Sequence, residues 1–98
     1  MLTKYSATLN ISERDLSSEK YKLINSLYEN SEGWLGYDES FICWFNRDEH
    51  KKHIGFSAEM HGLVLSAFME EDEWKAWLRK FMNEATEKFG FEVIDYEA

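Results

Sequence analysis

Apolar residues recur along the chain with two periods, and the changes of period divide it into elements. Tyr5, Ala7, Leu9 and Ile11 alternate with Lys4, Ser6, Thr8 and Asn10, the period of a strand with one face buried and the other wet. Leu16, Lys20, Leu23, Ile24, Leu27 and Tyr28 then fall at helical spacing, behind a run from Ser12 to Ser18 that offers several N-cap residues. This predicts a helix from Glu13 or Ser18 to Glu29. Gly33 and Gly36 break the pattern. Phe41, Ile42, Cys43, Trp44 and Phe45 follow as an unbroken apolar run, the signature of a strand covered on both faces, and Asn46 to Lys52 is a polar turn.

From His53 the alternation returns, with Ile54, Phe56, Ala58 and Met60 on one side and Gly55, Ser57 and Glu59 on the other. At His61-Gly62 the phase slips by one, because the next apolar set is Leu63, Leu65, Ala67 and Met69. Such a slip is either a bulge in one long strand or a tight hairpin. The hairpin is favoured, with Gly62 supplying the positive φ of its turn.

The longest consistent pattern runs from Asp72 to Phe89. Trp74, Trp77, Leu78, Phe81, Met82, Ala85 and Phe89 form one helical stripe, and Lys75, Arg79, Lys80, Asn83, Glu84 and Glu87 the opposite face. Glu70, Glu71, Asp72 and Glu73 place negative charge where the helix dipole is positive, and Lys88 then Gly90 close the helix. A last strand is expected from Phe91, Val93, Ile94 and Tyr96. The order β-α-β-β-β-α-β predicts a single α+β domain. Its mixed or antiparallel sheet has about five strands, with both helices on one face, in a ferredoxin-like or related plan.

Composition narrows the function classes. The 98 residues are 44% apolar and 16% aromatic, enough for one core and not for two. Eleven basic against nineteen acidic residues leave a formal charge of −8, which argues against direct nucleic-acid binding and for a partner with a basic surface. The lone Cys43 cannot form an internal disulfide. No stretch approaches the ~20 apolar residues of a membrane span, so a cytoplasmic protein without membrane contact is expected.

Catalytic and metal chemistry find little support. His50, His53 and His61 with Cys43 lack a second cysteine or a fixed ligand spacing, and Cys43 sits in an apolar run with no nucleophile signature around it. Gly33 and Gly36 stand in a sequence with no following Lys-Ser/Thr, so no phosphate loop is present. The carboxylates of residues 70–73 belong at a helix start on electrostatic grounds alone. No catalytic residue, metal or cofactor is expected.

The stretch Tyr28 to Glu39 is different. It carries Glu29, Glu32, Asp38 and Glu39 interleaved with Tyr28, Trp34 and Tyr37, and has no Lys or Arg. Aromatics on a loop rimmed by carboxylates suit a protein interface. The competing reading tucks Trp34 and Leu35 under the sheet and leaves the acids solvated. A small, acidic, Trp- and Tyr-rich domain with such a loop resembles the immunity proteins that neutralise bacterial nuclease toxins, of the barstar, colicin-immunity and contact-dependent-inhibition kinds. The resemblance lies in general habit, without a diagnostic motif. It implies a non-enzymatic inhibitor that covers the basic active site of a toxin domain, with Tyr28, Glu29, Glu32, Trp34, Tyr37, Asp38 and Glu39 at the interface. The neighbouring Glu70, Glu71, Asp72 and Glu73 would join them. A phage- or plasmid-encoded inhibitor mimicking DNA, or a small regulatory or ligand-binding α+β domain, would share the acidity or the element order.

Overall fold

The computed structural model describes residues 1–12 and 20–97. In chain order the elements are β1 (Thr3–Leu9), α1 (Lys20–Asn30), β2 (Ile42–Trp44), β3 (His53–Glu59), β4 (Gly62–Met69) and α2 (Glu71–Phe89). The expected start of the first helix, residues 13–19 with Leu16 and every N-cap candidate but Ser12, lies outside the described residues. The strands form one antiparallel sheet in the order β1-β4-β3-β2. The α+β class is therefore as expected, with four strands among the described residues in place of five. No two neighbouring strands are parallel, so the sheet lacks the parallel pair that a split βαβ unit contains.

Register sorts the side chains. Tyr5 lies opposite Ala67, Ala7 opposite Leu65 and Leu9 opposite Leu63, while Ile54 faces Ala67, Phe56 faces Leu65 and Trp44 faces Ile54. These residues share one face of the sheet, and both helices pack there. Tyr28 of α1 stacks on Phe56 at 4.2 Å, and on α2 Trp74 stacks on Tyr5 at 6.3 Å while Trp77 meets Trp44 edge-on at 5.1 Å. Trp44, Leu9, Leu63, Leu65, Ile54, Leu27 and Ala85 are fully buried between the layers. Of the helical stripe read from sequence, Trp74, Trp77, Phe81, Ala85 and Phe89 are buried, and Leu78 and Met82 are half-buried at its margin.

The phase slip is a hairpin. Glu59 pairs with Gly62, so Met60 and His61 form the turn and Gly62 already belongs to β4. Gly62 is not among the positive-φ glycines, which are Gly33, Gly36 and Gly90. Its lack of a side chain answers a different need, because a Cβ there would lie 2.5 Å from the Leu9 carbonyl oxygen of β1.

The expected last strand is the main departure. After Phe89 the chain reverses through Gly90, at φ 77°, and returns along the free edge of β1. Asn10 N–H donates to Ile94 O (3.2 Å) and Tyr96 N–H to Thr8 O (2.8 Å), yet only Leu9 and Asp95 make a bridge. Side chains take over the rest of the ladder. Asp95 Oδ1 accepts from the N–H groups of Thr8 (3.0 Å) and Glu97 (2.9 Å), and Glu97 accepts from the hydroxyls of Ser6 and Thr8 at 2.9 Å each. The segment is a strap over an edge strand. Among the described residues, no helix is long and apolar enough to cross a membrane.

Candidate protein-binding surface

Helix α1 ends where Ser31 Oγ donates to Leu27 O (2.7 Å), and the chain then turns through Gly33 at φ 92°. From there it runs back along the outer edge of β2. Phe45 N–H donates to Gly33 O (2.8 Å), Leu35 N–H to Cys43 O (2.9 Å), and Trp34 bridges Trp44. The 33–35 stretch thus covers the edge of β2 much as the C-terminal strap covers that of β1.

This placement separates the aromatics that sequence grouped together. Tyr28 is 3% exposed. It belongs to the core, because its position on α1 points inward onto Phe56, and it is removed from the candidate interface. Burial first, then the nearby groups Tyr37, Cys43 and Tyr21, pushes its phenol far above the usual range. Trp34 is half-buried, packed between Tyr28 at 6.4 Å and Trp44 at 5.5 Å. The tucked reading therefore describes Trp34. Leu35 remains 41% exposed, and Tyr37 is 56% exposed. The Tyr37 ring stands edge-on against Trp34 at 4.8 Å. Partial burial and the hydrogen-bonded carboxylate of Glu29 raise its pKa.

Charge is likewise redistributed. Glu29, Glu32, Asp38 and Glu39 are all exposed. A base that local sequence does not reveal stands behind them: Arg47, from the β2–β3 connection, donates to Ile42 O (2.6 Å) and Gly36 O (3.0 Å) and lies 3.5 Å from Asp38. Arg47 fastens the loop from beneath, its guanidinium joining a carbonyl of the loop to one of β2. The result is an outward surface of Glu29, Tyr37, Asp38 and Glu39.

The acids at the start of α2 have individual partners. Glu70 pairs with the Met1 amino group, and Glu71 with Lys75 at 2.7 Å, a hydrogen bond that lowers the Glu71 pKa. Glu73 pairs with Lys52 at 2.9 Å, and Asp72 is exposed. Glu73 converges with the loop. Together with Glu32 it lines a groove of about 300 Å³, in which Phe45, Trp77 and Phe81 contribute aromatic surface and Glu84, Lys52 and Lys80 further charge. Trp77 Nε1–H donates to the Glu32 carbonyl (3.0 Å), which ties the loop to α2 at that point. Phe45, Arg47, Lys52 and Glu84 carried no local signal. Two sit in a polar turn, one closes an apolar run and one lies on a solvated helix face.

The histidines are dispersed in role. His50 is exposed, while His53 is 8% exposed with Nδ1 2.8 Å from Lys51 O. Among the described residues, no three of His, Cys, Asp and Glu are grouped as a metal ion would need. Cys43 is 3% exposed, and burial pushes its thiol up against the opposing pull of Arg47. Comparison of the chain with protein-family models, with curated proteins and with solved structures finds no match.

Proposed function

We propose that this chain is a non-enzymatic binding protein that captures a basic protein partner through Tyr37 and the carboxylates of Glu29, Asp38 and Glu39. In the immunity-protein manner, the partner would be a toxin whose basic active site the surface covers. The observation that carries this reading is the setting of Tyr37. Its ring is more than half exposed, yet it rests on Trp34, which is itself wedged against Tyr28 and Trp44. An exposed aromatic on a rigid support loses little conformational freedom on binding, and surrounding carboxylates steer a cationic surface toward it.

The test is capture of partners from the native host with the full chain as bait, a nuclease assay of what co-purifies, and binding kinetics with variants. Tyr37→Ala is expected to weaken the complex by at least ~2 kcal/mol, mainly through faster dissociation. Asp38→Asn with Glu39→Gln is expected to slow association instead. Unchanged rates in both variants would place the interface elsewhere and leave the acidity as a solubility feature.

A further inference from the structure

The groove between α2 and the 31–32 and 45–52 stretches already holds a cation. Lys52 Nζ stands 4.3 Å from the centre of the Phe45 ring and 2.9 Å from Glu73 Oε2. A π-face and a carboxylate are the two kinds of protein group that attract an ammonium most directly. The hold is loose, because the Lys52 and Glu73 side chains are 36% and 49% exposed and solvent screens the pair.

The slot itself is firm. Phe45 has φ 71°, the left-handed region that a non-glycine residue adopts only when its surroundings enforce it. Here they do: its N–H bonds Gly33 O, and its ring lies where a Gly33 side chain would be, 2.6 Å from that Cβ position. Trp77 is fixed by its bond to Glu32 O and by stacking on Phe81 at 5.1 Å. Glu32, Glu73 and Glu84 line the groove with Lys52 and Lys80, an excess of negative charge that grows once Lys52 swings out to solvent.

We infer that this groove is a receptor for an arginine side chain of a protein partner, and that Lys52 is its built-in competitor. A planar guanidinium can lie on Phe45 while forking onto Glu73, which the lysine ammonium cannot do, so the guest has an advantage over the resident. The inference rests on the proposed function only for the partner that supplies the arginine. Its residues are not those of the Tyr37 surface.

The experiment is an NMR titration of the isotopically labelled full chain with N-acetyl-arginine amide, following the indole N–H of Trp77, with the uncharged citrulline analogue as control. The arginine probe is expected to shift that resonance and the citrulline analogue to leave it in place. Lys52→Ala, a surface change, should tighten arginine binding about five-fold, the scale of one exposed ion pair and one cation–ring contact. Adding Glu73→Gln should reverse the gain. An equal response to citrulline, or no tightening in Lys52→Ala, overturns the inference. Tyr37→Ala should leave the probe response unchanged, so a failure of the groove and a failure of the Tyr37 interface are read separately.

Discussion

Tyr28 shows how much a single side chain's setting decides. Its ring touches Phe56, Trp34, Trp44 and Phe81, and its hydroxyl belongs to a buried neighbourhood with Cys43, so both acids are harder to ionise in the folded chain. The unfolded chain releases these protons near the ordinary values, 9.0 for the thiol and 10.0 for the phenol, while the folded chain keeps them. The unfolded state then binds fewer protons, so stability is complete below pH 9 and falls as pH rises through and beyond these values. Urea midpoints measured across alkaline pH should show that fall, and Tyr28→Phe should flatten it. Arg47 gives a second prediction at this scale. Its guanidinium reaches both Ile42 O and Gly36 O, and a lysine has no fork to span them, so Arg47→Lys should cost about 1 to 3 kcal/mol in chemical denaturation.

Among the elements, α2 and the C-terminal strap stand at opposite ends of cohesion. Phe81 is 1% exposed and stacks on Trp77 at 5.1 Å, so Phe81→Ala should cost about 3 to 5 kcal/mol and lower the melting temperature steeply. A wild-type-like melt would remove α2 from the centre of the fold. The end of the strap is held by polar side chains, Asp95 on Thr8 N–H and Glu97 on the Ser6 and Thr8 hydroxyls, beside the two backbone bonds of its one bridge. Asp95→Asn with Glu97→Gln should therefore leave the global melt nearly unchanged while the amides of Thr8, Asn10 and Tyr96 exchange faster with solvent. Uniformly slow exchange in that variant would mean that the single bridge suffices together with Val93, which is buried in the core and whose N–H donates to Thr86 Oγ1 at 3.0 Å.

Across the whole molecule, the formal charge of −8 acts at a distance that no single contact does. If the partner is basic, the association rate should fall steeply as salt is raised while dissociation changes little, because screening acts on the encounter of separated charges beyond about 8 Å at physiological ionic strength. A salt-independent association rate, measured by surface-based kinetics, would count against steering. Aromatic contacts join Tyr5 of β1, Trp44 of β2, Phe56 of β3, Tyr28 of α1 and Trp77 of α2 through shared neighbours.

The strands β1, β3 and β4, the buried stripe of α2 and the hairpin at residues 60–61 were legible in the chain, because period two and period 3.6 record which face of an element meets water. So was the overall acidity. The fifth strand was not legible as a strap, since Phe91 and Val93 alternate correctly while side chains far apart in sequence, Asp95 on Thr8 N–H, Glu97 on the Ser6 and Thr8 hydroxyls and Asn10 on Ile94 N–H, stand in for the ladder. Tyr28 carried two conflicting signals, a place on the apolar stripe of α1 and a place in the acidic aromatic stretch, and the first prevailed; beyond α1 the stretch to Glu39 has no period that could show Trp34 tucked in and Tyr37 held out. Nor could it bring Arg47 beneath Asp38, or Glu32 and Glu73 to one groove. Arg47 meets Asp38 because the 33–35 stretch lies along the edge of β2, and Glu73 meets Glu32 because α2 packs on the sheet face beside that stretch; both placements are properties of the fold.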